Sequence, residues 1–204
     1  MTDSTDPQAR ARALQSLLIE RDLLSTDLVD AIVSKYEEEI GPMRGASVVA
    51  RAWTDSEYKA RLLEESTTVL EEHGYTGVDG VEIDVVENTD AVHNVMVCTL
   101  CSCFPWPVLG LPPTWYKSPE YRSKMVKRPR QTLQDDFEMQ LDDDTELRVR
   151  DASGEIRYLV LPQPPDGAED LTQAELTEVV TRDAMIGVER LGHRHVDDLL
   201  EEPV

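Results

Sequence analysis

The pattern of apolar and polar residues divides the chain into a helical first third and a remainder that contains strands. Leu14, Leu17 and Leu18 recur at helical spacing, with charged residues between them and on either side. Four helices are predicted, over residues 8–24, 25–41, 45–53 and 54–74. These helices have few turns to fold them into a unit of their own. They therefore form either an arm laid across a partner subunit or a free-standing bundle.

Beyond Gly74 the pattern changes to that of strands: residues 81–85 alternate with period two, and residues 92–97 are another β-rich run. Strands are predicted over residues 81–85, 92–97, 146–150 and 156–161. The last two flank a turn at Ser153-Gly154, a pattern typical of a β-hairpin. A final helix is predicted to begin near Thr172, with Glu175 completing its capping box. The fold class is therefore α+β. We expect an extended helical N-terminal arm over residues 1–74 and a layered α-β-β-α C-terminal domain over residues 75–204.

The charge balance excludes several classes of function. The chain has 41 acidic and 20 basic residues, a net charge of −21, so binding to nucleic acid through phosphate contacts is not expected. No apolar run is long enough for a membrane span, and the N-terminus lacks a signal-peptide core, so we expect a cytoplasmic protein. The excess of carboxylates predicts a halophilic source, with an acidic mesophilic protein as the alternative.

One basic segment interrupts this acidic chain. Residues 117–130 contain six basic residues and one acidic residue, a local charge of +5. We call this segment the basic island. It predicts a contact surface for an acidic partner chain, and charge reversal at Arg128 or Arg130 is expected to weaken assembly.

The chemistry-bearing residues are three cysteines within one six-residue segment, Cys98-Thr99-Leu100-Cys101-Ser102-Cys103. One residue separates Cys101 from Cys103, which is too close for a zinc knuckle. Their sulfurs and the amide nitrogens of Ser102 and Cys103 can enclose a metal in a plane, with Cys98 as an axial thiolate. Only a strongly polarising ion such as low-spin Co(III) or Fe(III) offsets the loss of amide protons. Considered alone, the trio also allows buried thiols or half of an inter-subunit zinc site.

The flanking segments carry a family resemblance. Residues 97–103 (VCTLCSC), 105–113 (PWPVLGLPP) and 115–118 (WYKS) resemble the α subunit of nitrile hydratase. Further similar segments are residues 45–63, 86–97, 157–163 and 180–187, so the resemblance extends from about residue 10 to residue 190. It implies a lyase that hydrates a small nitrile to its amide.

The resemblance also implies roles for individual residues. Thr99 stands where the family has Thr in cobalt enzymes and Ser in iron enzymes, so non-corrin Co(III) is expected and Fe(III) is less favoured. The sulfurs of Cys98, Cys101 and Cys103 and the amides of Ser102 and Cys103 are the implied metal ligands. In the family, the cysteine matching Cys101 is oxidised to sulfinic acid and the one matching Cys103 to sulfenic acid.

Two further positions are implied around these ligands. Trp106 is expected to line the substrate pocket, and packing in the core is the equally weighted alternative. Asp79 stands where the family often has Gln, and an ionised carboxylate cannot donate a hydrogen bond, so the hydrogen bonding around the metal ligands is expected to differ. Thr99 is likewise assigned to the residues that surround the metal ligands.

The implied mechanism uses the metal as a Lewis acid. Water or the sulfenate oxygen of Cys103 attacks the nitrile carbon, and the resulting imidate tautomerises to the amide. In the family, arginines of a β subunit pair with the oxidised cysteines, so this chain alone is expected to be incomplete. The implied assembly is an αβ heterodimer or an (αβ)2 heterotetramer, with the β partner present as one chain or split into two.

Two other functions compete with nitrile hydration. The γ subunit of thiocyanate hydrolase, which converts thiocyanate to carbonyl sulfide and ammonia, shares the cysteine segment and most of its flanks. The second alternative is a non-catalytic metal carrier or maturation protein. The length of the resemblance argues against it, since maturation factors of these enzymes resemble the β subunit.

Overall fold

The computed structural model describes residues 7–35, 40–75, 81–101, 103–192 and 195–197. It divides into two compact units, residues 1–39 and residues 40–204. Helices and strands are both present, which confirms the α+β class. Within the described residues, no helix has both the length and the apolar character needed to cross a membrane. The predicted domain division after residue 74 stays a prediction.

The described residues of the first unit form two helices, α1 (Pro7–Glu20) and α2 (Thr26–Ser34). Ser25 caps α2 because its hydroxyl oxygen accepts a hydrogen bond from the Leu28 amide at 3.1 Å. No described side chain of α2 is buried. Several large apolar side chains of this unit are exposed instead: Leu14, Leu17, Leu23, Leu28, Ile32 and Val33.

The second unit contains most of the helices. These are α3 (Met43–Thr54), α4 (Ser56–Glu64), α5 (Ser66–Glu72), α6 (Trp106–Leu109), a 3₁₀ helix (Thr114–Lys117), α7 (Pro119–Lys127), α8 (Pro129–Phe137), α9 (Gln173–Val179) and α10 (Arg182–Ile186). Helices α7 and α8, which span most of the basic island, are additions to the predicted elements. The capping box of Thr172 and Glu175 at the start of α9 is confirmed.

The prediction of one helix over residues 54–74 is wrong, because α4 and α5 are separated at Glu65. The Ser66 hydroxyl donates to the Leu62 carbonyl at 2.8 Å and accepts from the Val85 amide at 2.9 Å. A helix interrupted at Glu65 lets Ser66 bind the backbone of a strand while remaining buried. The hydrogen bond between the Ser66 side chain and the Val85 amide therefore sets where the helix is interrupted.

In the part of the chain that the structure describes, four strands form two separate parallel pairs. Strand β1 (Glu82–Glu87) pairs with β4 (Ile156–Leu161), and β2 (Val92–Val97) pairs with β3 (Glu146–Asp151). The predicted hairpin between the last two strands is therefore wrong. Gly154, in its expected turn, does not adopt the positive φ that two-residue hairpin turns require.

The burial of β2 and β4 is typical of strands in parallel pairs. Val95, Met96 and Val97 of β2 are fully buried, and the last three residues of β4, Leu159–Leu161, are at most 1% exposed. Such continuous apolar runs are typical of parallel strands covered on both faces. The core around them includes Leu62, Tyr116 and Met185, so helices from both ends of the second unit cover the strands.

Candidate metal centre

Strand β2 leads directly into the cysteine segment, residues 98–103, which we call the claw. The β2–β3 register places Val97 opposite Asp151, and the Ala152 amide donates to the Val97 carbonyl at 2.7 Å. Cys98 follows at once and is fully buried. The first claw cysteine is therefore held by the end of a parallel strand pair.

The three thiols converge. Cys98 Sγ lies 3.2 Å from Cys101 Sγ, and Cys101 Sγ lies 2.9 Å from Cys103 Sγ. All three sulfurs lie within 4.8 Å of one another, and none of the chain's three cysteines forms a disulfide. The Cys101 amide also donates to Cys98 Sγ at 3.2 Å, which closes the first turn of the claw. A buried, a half-buried and an exposed cysteine thus direct their sulfurs toward one point.

A carboxylate at the end of β3 holds the claw from one side. Asp151 Oδ1 accepts from the Thr99 amide at 2.9 Å, and Asp151 Oδ2 accepts from the Thr99 hydroxyl at 2.7 Å. Both oxygens of one side chain therefore bind one claw residue. Sequence reasoning assigned Asp151 to a hairpin turn and missed this role, which depends on the parallel register of β3.

Two side chains bind claw carbonyls from the other side. Arg122 Nη1 of α7 donates to the Cys101 carbonyl at 3.0 Å, and the Tyr116 hydroxyl donates to the Cys103 carbonyl at 3.0 Å. Helix α7 is itself tied to β2, because the Tyr121 hydroxyl donates to the Met96 carbonyl at 2.7 Å. Sequence reasoning missed the roles of both Arg122 and Tyr116; the only signal for Arg122 was its place in the basic island.

The basic island also makes contacts within this chain. Lys124 pairs with Asp136 at 2.9 Å, and Arg130 donates to the carbonyls of Asp142 and Thr145. The predicted contact with a partner chain stays a prediction, and Arg130 in addition holds the segment that leads into β3. Charge reversal at Arg130 is expected to damage the chain's own fold as well as any assembly.

Burial changes the electrostatics of the Cys103 thiol. The pKa of Cys103 is raised to about 12, chiefly by burial and then by its hydrogen bond with Cys101, while the nearby Arg157 acts in the opposite direction. Burial likewise raises the pKa of Tyr116 above its usual value. The Cys103 thiol and the Tyr116 hydroxyl thus stay protonated without a cation. A bound metal ion is the kind of charge that converts a thiol such as that of Cys103 to a thiolate.

The donor set fits a transition metal. Three sulfur atoms are soft ligands, and they suit cobalt, iron or zinc far better than calcium or magnesium. Part of the claw is exposed: Leu100 is 86% exposed, and Cys101 is exposed as well. A cleft of about 390 Å³ lies beside it, lined by Thr99, Pro119, Arg122, Ser123, Val126 and Lys127.

The remaining predicted site residues lie in different places. Trp106 begins α6 three residues after the claw and is 40% exposed, so its predicted place in a substrate pocket stays a prediction. Ser102 and Asp79 lie outside the described residues, and their predicted roles as amide ligand and outer hydrogen-bonding group stay predictions as well.

Fold and site together define an α+β protein with a three-cysteine metal centre at the end of a strand. A family model described as "Nitrile hydratase, alpha chain" matches residues 5–189. The chain therefore belongs to the nitrile hydratase α-chain family.

Individual relatives agree with this placement. The chain is 55% identical to nitrile hydratase subunit alpha of a Rhodococcus species, over 88% of this chain and 90% of the relative. It is 51% identical to a cobalt-containing nitrile hydratase subunit alpha of Pseudonocardia thermophila, over 89% of each chain. Thiocyanate hydrolase subunit gamma of Thiobacillus thioparus is 38% identical, over 86% of this chain and 76% of the relative.

A solved structure is similar over nearly the whole chain. It is a double mutant of the Fe-type nitrile hydratase from Comamonas testosteroni Ni1, which matches with a TM-score of 0.84 at 36% identity. The match covers 95% of this chain and 94% of that one.

Proposed function

We propose that this chain is the metal-bearing α subunit of a nitrile hydratase, which adds water to small nitriles to form amides. The observation that carries the proposal is the convergence of the Cys98, Cys101 and Cys103 sulfurs within 4.8 Å in a chain of this family. Three thiols gathered at a strand end, beside an open cleft, provide a place where a metal and a small substrate can meet.

The metal of the proposal is low-spin, non-corrin Co(III), with Fe(III) less favoured. Its ligands are the three claw sulfurs and the backbone nitrogens of Ser102 and Cys103. A cobalt-containing relative at 51% identity and the presence of Thr99 support cobalt. When bound, such an ion supplies Lewis acidity toward the nitrile.

The chain's own residues would bind and orient the reactants. The attacking oxygen comes from water, which gives up a proton, or from the sulfenate form of Cys103, in which case a water molecule then releases the imidate and restores the sulfenate. The imidate loses a proton from oxygen and takes one up on nitrogen as it tautomerises to the amide. Asp151, Arg122 and Tyr116 hold the claw backbone in one geometry, so the reacting sulfur keeps its position. Trp106 is proposed as a wall of the substrate pocket.

The proposal includes a β-type partner. Sulfinate at Cys101 and sulfenate at Cys103 would carry negative oxygens, which require cationic partners. We propose that a β subunit, as one chain or two, supplies them in an αβ heterodimer or an (αβ)2 heterotetramer. A cytoplasmic location and a halophilic source remain part of the prediction.

The test is co-expression with the β-type partner in cobalt medium, followed by metal analysis and mass spectrometry of the claw peptide. We expect about one cobalt per chain, oxygen adducts on the claw peptide, and turnover of acrylonitrile or benzonitrile. A Leu100→Ser variant serves as a matched control in the same segment, because Leu100 is exposed and its side chain has no proposed role. Zinc in the site, or a claw peptide without oxygen adducts, would refute the proposed mechanism.

A second candidate function is that of a thiocyanate hydrolase γ subunit, favoured by the relative at 38% identity. The same preparation distinguishes the two, because thiocyanate and nitriles can be offered in parallel. Turnover of thiocyanate alone would select this second function. Turnover of neither by a cobalt-loaded complex would favour the metal-carrier alternative.

A further inference from the structure

The claw carbonyls of Cys101 and Cys103 are each bound by one side chain, and the two side chains differ in charge. Arg122, a cation, donates to the Cys101 oxygen, whereas Tyr116, a neutral hydroxyl, donates to the Cys103 oxygen, both at 3.0 Å. The pair therefore provides two contacts of equal length and different electrostatics on one short segment.

The two carbonyls belong to chemically different peptides. The Cys101 carbonyl is conjugated with the amide nitrogen of Ser102, which is a ligand in the proposed function. The Cys103 carbonyl is conjugated with the nitrogen of Phe104, which lies outside the proposed ligand set. An amide nitrogen loses its proton when it binds a metal, and the negative charge is then shared with the carbonyl oxygen of the same peptide.

We propose that Arg122 is the chain's own cationic partner of the metal-loaded claw, binding the negative charge that develops on the Cys101 carbonyl oxygen. The inference rests on the proposed function for its ligand set. It adds a positioning residue from within this chain, on helix α7, to the cations expected from the partner.

The surroundings of Arg122 support this role. Among the described residues, Arg122 forms no ion pair with a carboxylate, and its buried Nε atom has no hydrogen-bond partner. A partly desolvated guanidinium without a counter-charge is costly in free energy. That cost is offset when the oxygen it already binds becomes negative, since charge-assisted hydrogen bonds are stronger than neutral ones.

Helix α7 is positioned to keep this contact. The Ser118 hydroxyl caps its first turn by accepting from the Tyr121 amide at 3.1 Å, and Pro119 preorganises that turn. The Tyr121 hydroxyl binds the Met96 carbonyl of β2, two residues before Cys98. Arg122 follows Tyr121 directly, so strand β2 positions both the guanidinium and the claw.

The test separates charge from hydrogen bonding with three variants, each co-expressed with the β-type partner. Arg122→Lys keeps the charge, Arg122→Gln keeps an N–H donor without charge, and Arg122→Met removes both. We expect the Gln and Met complexes to lose cobalt to a chelator about tenfold faster than wild type, and the Lys complex to lie between them and wild type. The sulfur-to-cobalt charge-transfer absorption of the Gln and Met complexes should move to shorter wavelength. The Ser102 amide nitrogen is a stronger donor to cobalt when no cation binds the carbonyl oxygen of its peptide.

Two controls accompany these variants. Tyr116→Phe removes the neutral contact on the Cys103 carbonyl, and Lys127→Gln removes a charge from the same helix beside the same cleft. Lys127→Gln should keep the wild-type chelation rate and spectrum. Tyr116→Phe loosens the claw without removing a charge, so it should release cobalt faster than wild type but more slowly than Arg122→Gln, with an unchanged spectrum. Thermal unfolding and co-purification with the partner show whether each variant is folded and assembled.

Equal cobalt retention and equal spectra for the Lys and Gln variants would overturn the inference, as would a Tyr116→Phe effect as large as that of Arg122→Gln. If all Arg122 variants failed to fold, the side chain would be a structural residue and the inference would be wrong. A wild-type complex that holds no cobalt would instead refute the proposed function, together with the inference that rests on it.

Discussion

The two ends of strand β2 carry polar groups that differ in burial and in hydrogen bonding. At the amino end, His93 and Asn94 are at most 2% exposed and belong to a closed hydrogen-bond network. At the carboxyl end, the strand opens into the claw, where Cys101 is exposed. One six-residue strand therefore supports stability at one end and presents chemistry at the other.

The amino-end network defines the state of His93. Asn88 Oδ1 accepts from the Asn94 amide at 2.7 Å, so the Asn88 nitrogen is left to donate to His93 Nδ1 at 3.2 Å. His93 Nε2 then donates to the Gly187 carbonyl at 2.8 Å. His93 is thus a neutral imidazole with its proton on Nε2. Polar groups satisfied in this way hold the strand in place.

The carboxyl end is held by the Cys101 amide on Cys98 Sγ within the claw and by Asp151, Arg122 and Tyr116 from outside it. These contacts fix backbone groups and leave the three sulfurs directed toward one another. The comparison predicts that damage at the amino end unfolds the chain, whereas damage at the carboxyl end costs metal and leaves the fold intact.

The largest expected effect is at the amino end, with Gly187→Ala. Gly187 has φ +90°, and an added Cβ would lie 2.1 Å from the Asn94 carbonyl oxygen. Because this clash is with strand backbone, we expect a loss of roughly 3 kcal/mol or more in the free energy of unfolding, measured by denaturant titration. Gly74→Ala is the matched control: its φ is +74° and no heavy atom lies within 4 Å of its Cβ. Equal losses for the two variants would argue against the clash.

The next effect is at the claw, with Cys101→Ser. Removal of one sulfur from the trio should lower cobalt retention about 100-fold, because the site loses a soft ligand. The free energy of unfolding of the metal-free chain should stay unchanged, since Cys101 is exposed. Metal analysis after dialysis and a denaturant titration provide the two measurements. A destabilised metal-free chain would break the proposed division between the two ends of β2.

Asp151→Asn should have a smaller effect at the same end. The variant weakens the two hydrogen bonds to Thr99 while the ligands stay in place, so we expect about a tenfold loss in metal retention. Asp143→Asn removes a similar negative charge from the turn before β3 and should leave retention unchanged. A comparable loss in both variants would show that net charge, and not the Thr99 contact, is responsible.

The smallest effect is the pH dependence at the amino end. Burial, with help from Arg190, holds the pKa of His93 below its ordinary value, against the opposing effect of the Gly187 hydrogen bond. The neutral form is favoured in the fold, so this contribution to stability is present above about pH 6.5 and is lost as the pH falls below it. Unfolding titrations of wild type and His93→Asn at several pH values measure the difference. A wild-type curve parallel to that of the variant would contradict the assignment.

Much of this architecture could be predicted because it is encoded locally. The β-rich run of residues 92–97 predicts β2 with its observed bounds, and Thr172 with Glu175 predicts the start of α9. The convergence of the cysteine sulfurs is also local, since all three lie within a single short loop. Such features depend on residues only a few positions apart.

Other features could not be predicted for a clear reason. The parallel pairing of β2 with β3 joins residues about 54 positions apart, as in Val97 with Asp151, and neither strand's own pattern identifies its partner. The break at Glu65 depends in the same way on a contact between Ser66 and Val85. The predicted hairpin was wrong because sequence proximity was taken for spatial pairing.

The sequence by itself thus determined the family, the α+β class and the three sulfurs of the claw, because motifs, helical or strand patterns and the cysteine segment can each be recognised from neighbouring residues. Only the tertiary structure decided which side chains surround the claw. Asp151 reaches Thr99 through the register of β3, and Arg122 reaches the Cys101 carbonyl through the anchoring of α7 on β2. Such contacts arise when distant elements bury their apolar faces together, and packing then sets which polar groups meet.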